Sequence, residues 1–215
     1  MLGRVFVIAL GAAFLAGCGT TLPGAQPGAV TSTFRDPQGD AFGTSGTNYD
    51  VTQVRTVRTS DELAAELTFA QGVFLPPPGG RSTSSQLSGI IELDTDQNAG
   101  TGNRSACPTT AVGPIGVDFY IAMTRRDGAG QYTVYDASGV PRGSASVSVS
   151  GGSSNVVTVR VGRAALGGDD LLAHLVVLAG NDSDPSFPLV FHPTDCAPDA
   201  GGAVVTRQQL PRTGR

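Results

Sequence analysis

Apolar and polar residues alternate along much of this chain with a period of two. That is the spacing of a strand that turns one face to a core and the other to water. Between residues 63 and 69, Leu63, Ala65, Leu67 and Phe69 fall on one side, and Ala64, Glu66 and Thr68 on the other. Leu87, Gly89, Ile91 and Leu93 share a face in the next run, as do Val117, Phe119, Ile121 and Met123 in the one after. The turn at residues 125–130 leads into residues 131–136, and Gly151–Ser154 joins residues 145–150 to 155–161, which predicts two hairpins. Residues 171–179 are apolar at nearly every position, as expected of a central strand covered on both faces. Residues 161–168 suit one short helical turn. Strands recurring about every eight to twelve residues predict an all-β chain, an antiparallel β-sandwich of jelly-roll-like form in a single domain.

Composition agrees. The 215 residues are enough for one sizeable core, and 30 glycines with only 6% aromatics suit short strands and tight turns better than a helical bundle. Asp and Glu outnumber the basic residues by 18 to 14, and every base is Arg, so no basic face is expected to take nucleic acid.

The N-terminus has its own pattern. One positive charge at Arg4 precedes an apolar run, residues 5–15, too short to span a bilayer comfortably, and Leu15-Ala16-Gly17-Cys18 follows. This tetrapeptide resembles a bacterial lipobox. The resemblance implies that residues 1–17 are a lipoprotein signal peptide, removed before Cys18, whose thiol carries a diacylglyceryl group and whose amine is then acylated with a chain such as palmitate. Two or more acyl chains anchor a protein stably. The expected location is therefore a bacterial cell membrane or outer membrane, facing periplasm or exterior. Gly19 does not resemble an inner-membrane retention signal. Residues 18–33, without charge and with two Pro-Gly pairs, read as a tether with a reach of roughly 20 Å. The sandwich is expected over residues 34–200 and a C-terminal tail over 201–215.

Once residues 1–17 are removed, Cys107 and Cys196 are the remaining thiols besides Cys18. Export to an oxidising compartment makes a disulfide between them the expected state. The alternatives, a two-thiol metal site or a reactive thiol, have neither CxxC spacing nor a neighbouring histidine in support.

The segment Asp94-Thr95-Asp96-Gln97-Asn98 alternates hard-oxygen side chains as the first ligands of an EF-hand do. The match ends there. Gly100 falls one place late, Ser105 stands where a bidentate Glu is needed, and a strand precedes the loop where an EF-hand has a helix. A strand-end calcium loop completed from elsewhere in the chain is the remaining metal reading, and the competing one is plain turn chemistry. Asp36, Asp40, Asp50 and Asp118 are the further oxygen donors. Asp118 lies opposite Phe119 and Ile121 near a strand start, poorly placed in a ladder unless exposed or bound.

Taken together, Asp36-Pro37-Gln38-Gly39-Asp40, Tyr49-Asp50-Val51, the run into residues 94–102, and Gly116-Val117-Asp118-Phe119 resemble exported bacterial sandwiches of the family 9 carbohydrate-binding and DOMON-like type. The likeness covers residues 34–195. It implies a structural calcium ion held by Asp36, Asp94, Asp96 and Asp118, with Asp40, Asp50 and Asn98 as further candidates. Family 9 modules clamp sugar between tryptophans, and this chain has none. Haem ligation of the DOMON type wants a Met/His pair, which the spacing of Met123, His174 and His192 does not recommend.

Four weaker patterns remain. Residues 210–214, LPRTG, match a sortase pentapeptide but lack the apolar segment and basic tail of a sorting signal. His192 and Asp195 suggest a catalytic pair, without a GxSxG nucleophile or an HExxH motif to accompany them. Residues 74–85 read as a long exposed loop with a polyproline bend, and Tyr120, Tyr132 and Tyr135 as an aromatic strip or as cross-strand packing. The functional expectation is a lipid-anchored recognition module for a glycan or envelope protein, stabilised by calcium. An envelope scaffold without a small ligand is the alternative, and a hydrolase the less favoured third.

Overall fold

A computed structural model describes residues 29–42, 47–107, 114–150, 152, 154–168, 170–182, 189–198 and 203–207, the last five as backbone alone. The alternating runs are strands. In chain order they are β1 (Val30–Arg35), β2 (Val51–Arg58), β3 (Glu62–Phe69), β4 (Ser88–Asp94), β5 (Asn103–Arg104), β6 (Gly116–Val117), β7 (Phe119–Arg126), β8 (Tyr132–Asp136), β9 (Pro141–Ser150), β10 (Val156–Gly162), β11 (His174–Asn181), β12 (His192–Ala197) and β13 (Ala203–Arg207). Arg163–Leu166 forms a single 3-10 turn, closed by Gly167 in the left-handed region. Among the described residues no helix is long and apolar enough to cross a membrane.

Among the described residues eleven strands form one sheet in the order β12-β11-β4-β7-β8-β9-β10-β3-β2-β1-β13, and β5 pairs with β6 separately. The strand pairs are antiparallel, and both expected hairpins, β7–β8 and β9–β10, are present. The fold is an all-β sandwich in a single domain, made by one sheet that curls over itself. Sheet twist accumulates from strand to strand, so a sheet this wide closes back on its own apolar face.

The inner face collects the alternate residues read from the sequence. Leu63, Leu67 and Phe69 of β3 meet Ile91 and Leu93 of β4, Ile121 and Met123 of β7, Val157 and Val159 of β10 and Val177 of β11 in one cluster. A second cluster lies on the other side of β4, β7 and β11, where Ile90, Tyr120, Val176 and Leu178 pack against Cys107, Ile115, Val117 and Cys196. β4 is therefore buried along its whole length, and β11 from Leu175 to Asn181, as its uninterrupted apolar pattern predicts. A disulfide joins Cys107 to Cys196, with their Cα atoms 5.9 Å apart, and holds the segment after β5 over this second cluster. Beneath that segment, buried Glu92 accepts hydrogen bonds from the Ser105 hydroxyl and the Ala106 amide.

Some expectations change. Val117 does not share a face with Ile121 and Met123. It belongs to β6, paired with β5, and packs in the second cluster, because the chain breaks at Asp118 and changes partner. β1 begins at Val30, inside the stretch read as tether, and Ala203–Arg207, inside the stretch read as tail, pairs with it. The segment around Pro76–Pro78 is tied down rather than free, since Arg126 donates to the Pro76 and Gly130 carbonyls at 3.0 and 2.8 Å. Tyr132 is wholly buried in the inner core and Tyr120 lies opposite Tyr135, so the three make no exposed strip. Cys18, residues 1–17 and the pentapeptide 210–214 lie outside the described residues.

Candidate metal centres

The sheet ends where Asp94 does. Beyond that buried last residue of β4 the chain turns through Thr95–Thr101, and the break between β6 and β7 brings Asp118 alongside. Asp94, Asp96 and Asp118 each bring a carboxylate oxygen to within 4.8 Å of the others. Backbone donors hold the three in place. Asp118 Oδ2 accepts the Thr95 amide at 2.8 Å, the Thr95 hydroxyl at 3.0 Å and the Asp96 amide at 3.2 Å. The Asn98 amide donates to Asp94 Oδ1 at 3.1 Å and to Asp96 Oδ1 at 2.9 Å, and the Gly116 amide donates to Asp94 Oδ2 at 3.2 Å. The Thr101 hydroxyl lies 3.0 and 2.8 Å from the two oxygens of Asp96. That hydroxyl, helped by the Asn98 amide, keeps the Asp96 carboxyl below its ordinary value of 3.8.

Glycine makes the close approach possible. A Cβ on Gly116 would be driven into the carbonyl oxygens of Thr101 and Asn98, so only a bare backbone lets the loop lie this close to β6. Asn98 contributes through its amide, since its side-chain oxygen accepts from Gly100 at 3.0 Å. His174 stands directly across from Asp94 in the β11–β4 register, with Nδ1 3.6 Å from Asp94 Oδ2. A cross-strand neighbour of this kind is invisible to sequence spacing.

Asp36 does not join this group. It follows β1 and gathers instead with Asp40 and with Asp195 of β12, again with oxygens within 4.8 Å. Asp50 lies beside that second group, its Oδ2 accepting the Gly39 amide at 2.8 Å from a turn that Gly39 makes at φ 91°. The two groups sit toward opposite ends of β11. His174 pairs with Asp94, while Ala179 pairs with Asp195, so five residues, about 17 Å of strand, separate them. The four aspartates expected around one ion are thus divided three and one, because Asp36 is delivered to β2 and β12 by its strand and not to the end of β4.

Asp195 is the member that spacing missed. Its Oδ2 accepts the Val51 amide at 2.6 Å and its Oδ1 the Cys196 amide at 2.7 Å. Burial pushes its carboxyl up to about 6; the two amides oppose this, and the charges of Asp40 and Asp50 add to it. The catalytic pair suggested for His192 and Asp195 is not made. His192 Nδ1 lies 3.7 Å from Asp182 on the surface, whereas Asp195 is buried against the Val51 and Cys196 amides.

Both arrangements offer oxygen donors, the set preferred by hard cations such as calcium. No known protein-family model matches this chain, and no curated protein matches it.

Proposed function

We propose that this chain is a lipid-anchored bacterial envelope protein whose sandwich serves as a calcium-stabilised recognition module for a glycan or envelope protein, in the manner of the family 9 and DOMON-like domains it resembles. The observation that carries the calcium reading is the meeting of Asp94, Asp96 and Asp118 within 4.8 Å, from two separate segments of chain. Oxygens bound to one calcium ion at 2.3–2.6 Å lie no more than about 5 Å apart, so this spacing suits a shared ion. Two of the three, Asp96 and Asp118, are not fully buried, which leaves a route for the ion and its remaining waters. The anchor rests on Leu15-Ala16-Gly17-Cys18, and the Cys107–Cys196 bridge suits an exported chain.

The test is thermal unfolding in calcium and in chelator. A ligand selective for the folded chain stabilises it by about 2.7 kcal/mol at a hundredfold excess over Kd. The midpoint should therefore rise with calcium in the wild type and respond much less in Asp96→Asn. An unchanged wild-type midpoint removes the ion. Incorporation of labelled palmitate, abolished in Cys18→Ser, tests the anchor.

One observation favours the scaffold alternative, in which no small ligand binds. Asp94, Asp96 and Asp118 are already bonded to amides and hydroxyls of their own loop, which is what turn chemistry alone requires. A flat calcium response, blank glycan arrays and recovery of one defined envelope partner would select it.

A further inference from the structure

Asp36, Asp40 and Asp195 come from three places: the end of β1, the turn after it, and the edge strand β12. Asp36 and Asp195 are buried, 7% and 3% exposed, while Asp40 reaches solvent. Crowded acidic side chains alone do not define a site. The independent observation is Asp50, which is outside that trio and only 7% exposed. One of its oxygens takes the Gly39 amide, setting the carboxylate against the turn that carries Asp40. The other, Oδ1, is shielded from water and takes no hydrogen bond. Buried polar atoms in folded proteins are nearly always bonded, and a carboxylate oxygen left dry and unbonded is among the most costly exceptions. Its neighbour Val51 donates to Asp195, and the Asp50 charge is near enough to act on that carboxylate.

We propose that Asp36, Asp40, Asp50 and Asp195 form a second calcium site, separate from the Asp94–Asp96–Asp118 group. The donors are all carboxylate, with neither imidazole nor thiol, which selects a hard cation over zinc or copper. Four acids suit the six to eight oxygens that calcium takes better than the rigid octahedron of magnesium. A cation there ties the β1 turn and the start of β2 to β12, at opposite ends of the sheet order. It thus closes the curl of the sheet next to Cys196, where the disulfide also holds.

The full chain, stripped of metal, is titrated with calcium chloride by calorimetry, alongside Asp40→Asn, Asp50→Asn and Asp96→Asn, each checked for native circular dichroism. Asp40 is exposed, so its substitution leaves the core undisturbed. The expected result is two calcium ions per wild-type chain, with one of them weakened at least tenfold by Asp40→Asn and by Asp50→Asn, and the other by Asp96→Asn. Calcium binding identical in wild type, Asp40→Asn and Asp50→Asn overturns the second site, and so does no calcium binding at all. Loss in Asp96→Asn alone overturns it while leaving the proposed function standing. Loss in Asp40→Asn and Asp50→Asn alone upholds it and removes calcium from the first loop.

Discussion

The backbone amide of Val51 donates to Asp195 Oδ2 at 2.6 Å, joining residues 144 positions apart and fastening the edge strand β12 to the start of β2. The bond crosses the seam where the curled sheet meets itself. Together with the Tyr49 amide on Thr194 Oγ1 at 3.0 Å, it satisfies two backbone donors with side-chain oxygens of β12.

Asp195 should give the chain a distinctive pH dependence. Its folded pKa, about 6, lies above its ordinary 3.8, so the folded state holds the proton more tightly than the unfolded state. The associated stability is complete below the unfolded pKa and is lost as pH rises through about 6, to a total of at most about 3 kcal/mol. In chelator, urea unfolding should show the wild type losing stability between about pH 4 and pH 6 relative to Asp195→Asn, which has no such proton. With calcium bound, the wild type should instead gain over that range, because a cation needs the carboxylate. A wild type that tracks the variant under both conditions would contradict the assignment.

Gly116→Ala probes how the first loop is held. A methyl there displaces the Thr101 and Asn98 carbonyls, and Thr101 is what grips Asp96. Overpacking of this kind costs about 1–3 kcal/mol. The variant should melt lower and should also lose the part of the calcium response that Asp96→Asn removes, whereas substitution at Gly128, where a Cβ meets nothing within 4 Å, should leave the full response in place.

The Tyr132 hydroxyl is buried in the inner core without a hydrogen-bond partner, and burial pushes its phenol well above the ordinary 10.0. An unsatisfied buried hydroxyl costs about 1–3 kcal/mol. Tyr132→Phe keeps the ring and removes that cost, so it should raise the midpoint of chemical unfolding. A clear loss of stability would show that the hydroxyl has a partner after all.

The Cys107–Cys196 bridge spans 89 positions in sequence. Closing a loop that long constrains the unfolded chain by up to about 4 to 5 kcal/mol in the entropic picture. Cys107→Ser with Cys196→Ser should lower stability in oxidising buffer and abolish the difference between reduced and oxidised samples. The second apolar cluster beneath the bridged segment, around Val176 and Leu178, should become reachable by hydrophobic dyes.

Alternation alone determined a good deal. Leu63, Leu67 and Phe69, or Ile91 and Leu93, can share a core only if their segments are extended, since side chains of a strand point alternately to either side. That is a local property of the backbone, and so strands, hairpins and the doubly covered β11 were legible residue by residue. The acidic residues were legible as candidates but not as partners. Which carboxylate meets which depends on register and on the direction of curl, and both are settled by packing among strands far apart in sequence. Asp118 reached Asp94 because the chain breaks between β6 and β7, Asp36 was carried to Asp195 because the sheet closes on itself, and His174 came to face Asp94 through cross-strand pairing. Local chemistry determined the elements, and only the tertiary fold decided their meetings, because side chains remote in sequence are brought together by the burial of the core between them.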